Sequence, residues 1–213
     1  MKKIVLIAGL FLAVMTANAQ YYVGGSFGLN GSSGKNEKGE TVGVSNLNFS
    51  IAPEIGQKIS EKWDIGISLN FLANSRKSFQ RPDEMTSKTT SLGIGASPYT
   101  RYSFYQIGKF EVLGKLALNV MNNTFKSFDR EGNENDKQSS TNLGLNLSPL
   151  LFYNLSGRIS IYTQLNFLGL DYSYIINNRD GIKTGSSSSF NIGGNTGNLA
   201  TFNHVQLGFV YKF

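Results

Sequence analysis

Apolar and polar residues alternate with period two along most of this chain, in segments separated by turn-rich stretches. Trp63, Ile65, Ile67, Leu69 and Phe71 share one parity, and Asp64, Gly66, Ser68 and Asn70 share the other. The same pattern sets Tyr21, Val23, Phe27 and Leu29 against Tyr22, Gly24, Ser26 and Gly28, and Leu143, Leu145 and Leu147 against Gly144, Asn146 and Ser148. Successive strand side chains point to opposite faces, so each segment reads as a strand with two different environments. Eight such strands are predicted, near 21–30, 46–55, 63–71, 91–102, 110–120, 142–153, 159–167 and 203–213. The phase of the seventh blurs at 168–172, which predicts a bulge.

An even number of long alternating strands predicts an all-β fold, an eight-stranded antiparallel transmembrane β-barrel. A soluble barrel would turn its apolar face inward and present many charges to water. Here the polar face is mostly Gly, Ser and Asn, a composition suited to a narrow enclosed lumen. The connections orient the barrel. Those near 58–62, 103–109 and 154–158 are short, and those at 31–41, 75–88, 126–140 and 177–197 are long and polar. Short periplasmic turns and long extracellular loops follow. Tyr21, Trp63, Tyr102, Phe110, Tyr153 and Phe213 fall beside the short turns, where an aromatic girdle belongs.

The amino terminus supports an exported fate. Lys2 and Lys3 precede an apolar run from Ile4 to Val14, and Ala17-Asn18-Ala19 gives a small-x-small cleavage signal. Residues 1–19 read as a cleaved secretory signal peptide, and 20–213 as the barrel domain. The apolar run is shorter than the ~20 residues of a spanning helix. Removing Lys2 and Lys3 lowers the formal charge from +6 to +4, too mild and scattered for a nucleic-acid partner. The chain has no cysteine, so disulfides and thiolate metal sites are excluded.

Several segments carry a family resemblance: Ala52-Pro53-Glu54-Ile55-Gly56 followed by Trp63-Asp64-Ile65-Gly66, then Ser97-Pro98-Tyr99-Thr100-Arg101-Tyr102, Leu147-Ser148-Pro149-Leu150-Leu151-Phe152-Tyr153 and the ending Gly208-Phe209-Val210-Tyr211-Lys212-Phe213. Together they resemble the small outer-membrane β-barrel domain family, OmpX-like and OmpA-barrel-like in size. The resemblance implies location in the bacterial outer membrane, among its lipids and lipopolysaccharide. It also implies a terminal signal at Phe209, Tyr211 and Phe213 for the barrel assembly machinery. An extracellular partner held by the long loops is a further expectation. The motifs specify fold and location, not activity.

Candidate chemistry is sparse. His204 is the sole histidine, and parity points it into the lumen, where one base without a recognisable triad reads as a polar lining residue. Asp129, Glu131, Glu134 and Asp136 do not match calcium-loop spacing, and read as a solvated charged loop. The glycine-rich pieces at 24–28 and 193–197 lack the Lys-Ser/Thr ending of a phosphate-cradling loop. No catalytic, cofactor or metal residues are assigned. Parity does turn Glu54, Arg101, Glu111 and Lys115 inward in the periplasmic half, which predicts a charge-balanced network closing the lumen. The expected function is structural or surface-interaction work with a plugged lumen. A lipid-modifying or proteolytic barrel enzyme is the alternative, and a small-solute porin the third reading.

Overall fold

The computed structural model describes residues 20–81, 84–165, 168–179, 182–192 and 205–213. Its strands are β1 (Gln20–Lys35), β2 (Thr41–Lys58), β3 (Trp63–Arg81), β4 (Glu84–Ile107), β5 (Phe110–Phe128), β6 (Glu134–Asn154), β7 (Ile159–Leu165), β8 (Leu170–Arg179), β9 (Ile182–Ile192) and β10 (Val205–Lys212). All pairings are antiparallel between ring neighbours, and β1 with β10 closes the circuit. The ring has eight members because β7 and β8 are two lengths of one wall strand, as are β9 and β10. β6 pairs with β7 at its periplasmic end and with β8 beyond it. Between the two lengths, three steps along β6, Leu147 to Leu150, face six steps of the partner, Gln164 to Leu170. The partner is therefore three residues longer between these two pairs, next to the stretch where the sequence phase blurs.

The alternation sorts residues as a lipid-facing wall requires. Ile67 is 43% exposed and its neighbour Ser68 only 3%. Without water to solvate main-chain groups, a membrane-spanning sheet must satisfy them between strands, and ring closure leaves the lower wall without an edge. The rim is closed by Phe213, whose N–H donates to the Tyr21 carbonyl at 3.0 Å. Aromatic rings crowd this rim: Trp63 lies 4.8 Å from Tyr102, Phe110 4.8 Å from Tyr153, and Tyr211 5.2 Å from Phe213.

Two of the three periplasmic turns repeat one device. The Ser60 hydroxyl accepts from Trp63 N–H and the Ser156 hydroxyl from Ile159 N–H, both at 3.1 Å. The third is a two-residue hairpin whose Gly108, at φ +56°, occupies the left-handed region that only glycine enters cheaply.

At the opposite end the expected long loops are mostly strand. β1 and β2 run on until only 36–40 connects them, and 129–133 alone joins β5 to β6. The segment expected to be loop at 177–197 contains the end of β8 and all of β9. The terminal strand is described from Val205 to Lys212, and positions 203 and 204 of the predicted strand lie outside the described residues. These outer lengths have water on both faces, so pairing persists where alternation of hydrophobicity has stopped. The signal-peptide segment, His204 and the glycine-rich stretch 193–197 lie outside the described residues.

Candidate functional site: the lumen

Arg101 on β4 is the centre of the lumen, 1% exposed, and its Nη2 donates to Glu54 Oε1 of β2 at 2.5 Å. Tyr162 on β7 donates its hydroxyl to the same oxygen at 3.3 Å. Four rings surround the guanidinium, with centroids 4.7 Å (Tyr99) and 5.4 Å (Tyr22, Phe152 and Tyr162) from its Cζ. Phe152 and Tyr162 stack at 4.8 Å, and the Tyr22 and Tyr99 hydroxyls are 3.1 Å apart. A planar, weakly hydrated cation suits aromatic faces and a carboxylate together, so the charge is compensated in a space with little water.

The cage is built by the ladder register. Tyr22 is paired with Gly56, Tyr99 with Gly66 and Tyr162 with Gly208. A Cβ at any of these glycines would run into the opposing tyrosine ring. Each ring thus lies flat over a neighbour that has no side chain. Leu113, Leu150 and Val210 complete the packing around them. Sequence parity turns Tyr22, Tyr99 and Tyr162 inward but gives them no partners. The signal that identifies them is the tyrosine-glycine pairing across three separate interfaces.

Of the four charged residues expected to form one network, Glu54 and Arg101 are ion-paired. Lys115, opposite Arg101 in the ladder, places Nζ 4.5 Å from the Tyr99 ring centroid. Glu111 does not join them. It lies half-buried on the periplasmic side of Arg101, in a cavity of about 50 Å³ shared with Lys58, Glu61, Lys62, Asp64 and Lys212. Three lysines and three acids thus form a rim group below Arg101, which lines the inner end of the same cavity. The reason is axial: Glu111 is next to the β4–β5 turn, and four residues of tilted strand carry it away from Lys115.

On the outer side of Arg101 a second cavity of about 280 Å³ is lined by Ser26, Ser68, Asn70, Ser97, Asn119 and Gln164, with Glu54 and Lys115 at its base. Asn70 donates to the Ser97 hydroxyl, which donates to Asn119 Oδ1, each at 2.6 Å. This outer half carries the Ser and Asn of the polar parity together with Leu72, Ala117 and Met121, while the periplasmic half is aromatic. Glu54 lines the outer cavity and Arg101 the periplasmic one, so the ion pair lies between the two.

Among the described residues no histidine accompanies the lumen serines. No metal-binding group of acids or histidines occurs among them either. The acids of the third outer hairpin disperse. Glu134 pairs with Lys126 at 2.7 Å and Asp136 with Arg179 at 3.1 Å. Asp129 accepts the Asn133 backbone N–H at 2.8 Å, which holds its carboxyl below the ordinary carboxylate range. Of the terminal aromatics, Phe209 and Phe213 face outward and Tyr211 is half-buried.

A closed eight-stranded ring with a lipid-compatible exterior and a periplasmic aromatic rim defines a small outer-membrane β-barrel. Residues 4–213 match the model of the outer membrane protein beta-barrel domain, and the chain belongs to that family of the bacterial outer membrane. No curated protein matches the sequence. Among solved structures, the chain is similar to a major outer membrane protein from Thermus thermophilus, with 15% identity, TM-score 0.49, and coverage of 92% of this chain and 100% of that one. It is also similar to Neisserial surface protein A, with 16% identity, TM-score 0.40, and coverage of 92% and 99%. Ail, the attachment invasion locus protein of Yersinia pestis, matches at 17% identity, TM-score 0.31, and coverage of 92% and 97%.

Proposed function

We propose that this protein acts through its surface hairpins, in envelope structure or surface interaction, and that its lumen is a plug rather than a path. The observation that carries this reading is the Arg101–Glu54 pair inside four aromatic rings, which separates the outer cavity from the periplasmic one. A hydrated ion crossing there would have to displace a buried ion pair, and breaking such a pair is costly. Eight strands leave an interior just wide enough for side chains to fill, so the fold itself favours a packed lumen. The hairpins beyond the membrane supply the area that contacts the outside. Export by a removable segment 1–19 and assembly through Phe209, Tyr211 and Phe213 belong to the same reading.

Purified protein in planar bilayers tests it directly. Wild type is expected to give no large steady conductance, and porin-sized currents would overturn the plug. In cells, deletion of the gene or shortening of the hairpins is expected to alter adhesion or envelope integrity. Unchanged behaviour in both assays would remove the surface role.

A further inference from the structure

The outward face of β3 to β6 changes chemistry in two steps above the apolar belt. Parity runs without a register shift from Ile67, Ile94, Leu118 and Leu145 outward through hydroxyl residues such as Ser75, Thr90 and Thr124. It ends on four lysines. Lys77 is directly opposite Lys88, and Lys126 is directly opposite Lys137. Lys88 faces Phe128 and Lys126 faces Thr90, which makes Lys88 and Lys126 diagonal neighbours on that same face.

Like charges directly opposed across a ladder destabilise it, and here two such pairs adjoin. Glu134 offsets Lys126 only, at 2.7 Å, and Lys88 lies 6.0 Å from the Phe128 ring centroid. Among the acids whose side chains are described, none is paired with Lys77, Lys88 or Lys137. Immediately below is an apolar groove of about 390 Å³ lined by Phe49, Phe71, Ala73, Leu92, Ile94 and Thr124. Thr124 stands two residues under Lys126 on the same face. A cation cluster above an apolar groove matches an amphiphile with an anionic head, and a soluble anion would leave the groove unused.

We propose that this face binds a phosphate-bearing lipid of the outer leaflet, with its phosphate among Lys77, Lys88 and Lys126 and an acyl chain in the groove. The proposal rests on the ring spanning the outer membrane and is independent of what the hairpin tips contact. The anion also explains why opposed lysines are tolerated: bound phosphate turns a repulsive array into an attractive one.

The test reconstitutes full-length protein in phosphatidylcholine vesicles containing either lipid A or dephosphorylated lipid A. The protein is then extracted into neutral detergent, and the lipid that remains bound is quantified. Wild type and the control Lys35→Gln/Lys183→Gln are expected to retain lipid A and lose the dephosphorylated form. Lys77→Gln/Lys88→Gln is expected to retain about tenfold less lipid A, with Lys88→Gln alone intermediate. In lipid-free neutral detergent the double variant should unfold at or above the wild-type temperature, because repulsion has been relieved. Equal retention of the two lipids, or an equal loss in the control, would overturn the proposal. A wild-type protein whose gel migration never changes on boiling would overturn the barrel reading beneath it.

Discussion

Tyr99 of β4 stands directly opposite Gly66 of β3, and its ring lies in the space a Gly66 side chain would need. The same ring faces the Arg101 guanidinium and the Lys115 ammonium, at 4.7 and 4.5 Å. A missing side chain on one strand therefore sets the position of the charged groups on two others. Gly66→Ala would force the ring toward Arg101. A cost of about 1 to 3 kcal/mol is expected, as for other overpacked interiors. Gly31→Ala, where a Cβ meets nothing nearer than 3.7 Å, is the matched control. Equal denaturant midpoints for the two variants would show that the ring is not held by the glycine.

The Arg101–Glu54 pair gives a double-mutant prediction. Arg101→Ala strands the Glu54 carboxylate in a buried site, and breaking such a pair costs about 3 to 5 kcal/mol. Adding Glu54→Ala should restore part of that loss. Strictly additive effects in unfolding titrations would mean that the two residues do not stabilise one another.

Facing lipid or facing the lumen separates neighbours in sequence. Ile67→Arg places a charge on the lipid side of β3 and should cost about 2 to 4 kcal/mol. Ser68→Arg points into the outer cavity beside Glu54, which can accept it, and should cost clearly less. Matching losses in vesicle unfolding would contradict the assigned parity.

Deletion of Phe213 removes the residue whose N–H bonds Tyr21 at the rim and whose ring packs on Tyr211. Surface levels in cells are expected to fall, through weaker recognition during assembly and weaker closure. Wild-type levels of the truncated chain would show that neither matters.

The wall was legible in the sequence because one face meets lipid and the other does not. Ile67 beside Ser68 carries that contrast in two letters. The outer lengths of β3 and β4 were not, since polar side chains occupy both faces once both are wet, and period two falls silent while backbone pairing continues. The lumen was half legible. Parity alone turns Arg101, Glu54 and Lys115 inward, whereas the cage needs Tyr22, Tyr99 and Tyr162 to meet Gly56, Gly66 and Gly208, a pairing set by the register of three separate interfaces. Glu111 has the right parity too, but its height next to a turn separates it from Lys115, and height depends on register and tilt that one strand does not encode.

The surface hairpins are the wall itself carried beyond the membrane. β4 alone has 24 residues, roughly 60 Å of tilted strand against an apolar band about 25 Å tall. A ligand pulling on the tips at 36–40 or 129–133 thus acts on a stiff lever rooted in the ladder, and the load passes into the barrel instead of being absorbed by slack chain. The tips can also change their chemistry from one sequence to another without disturbing any residue that closes the interior.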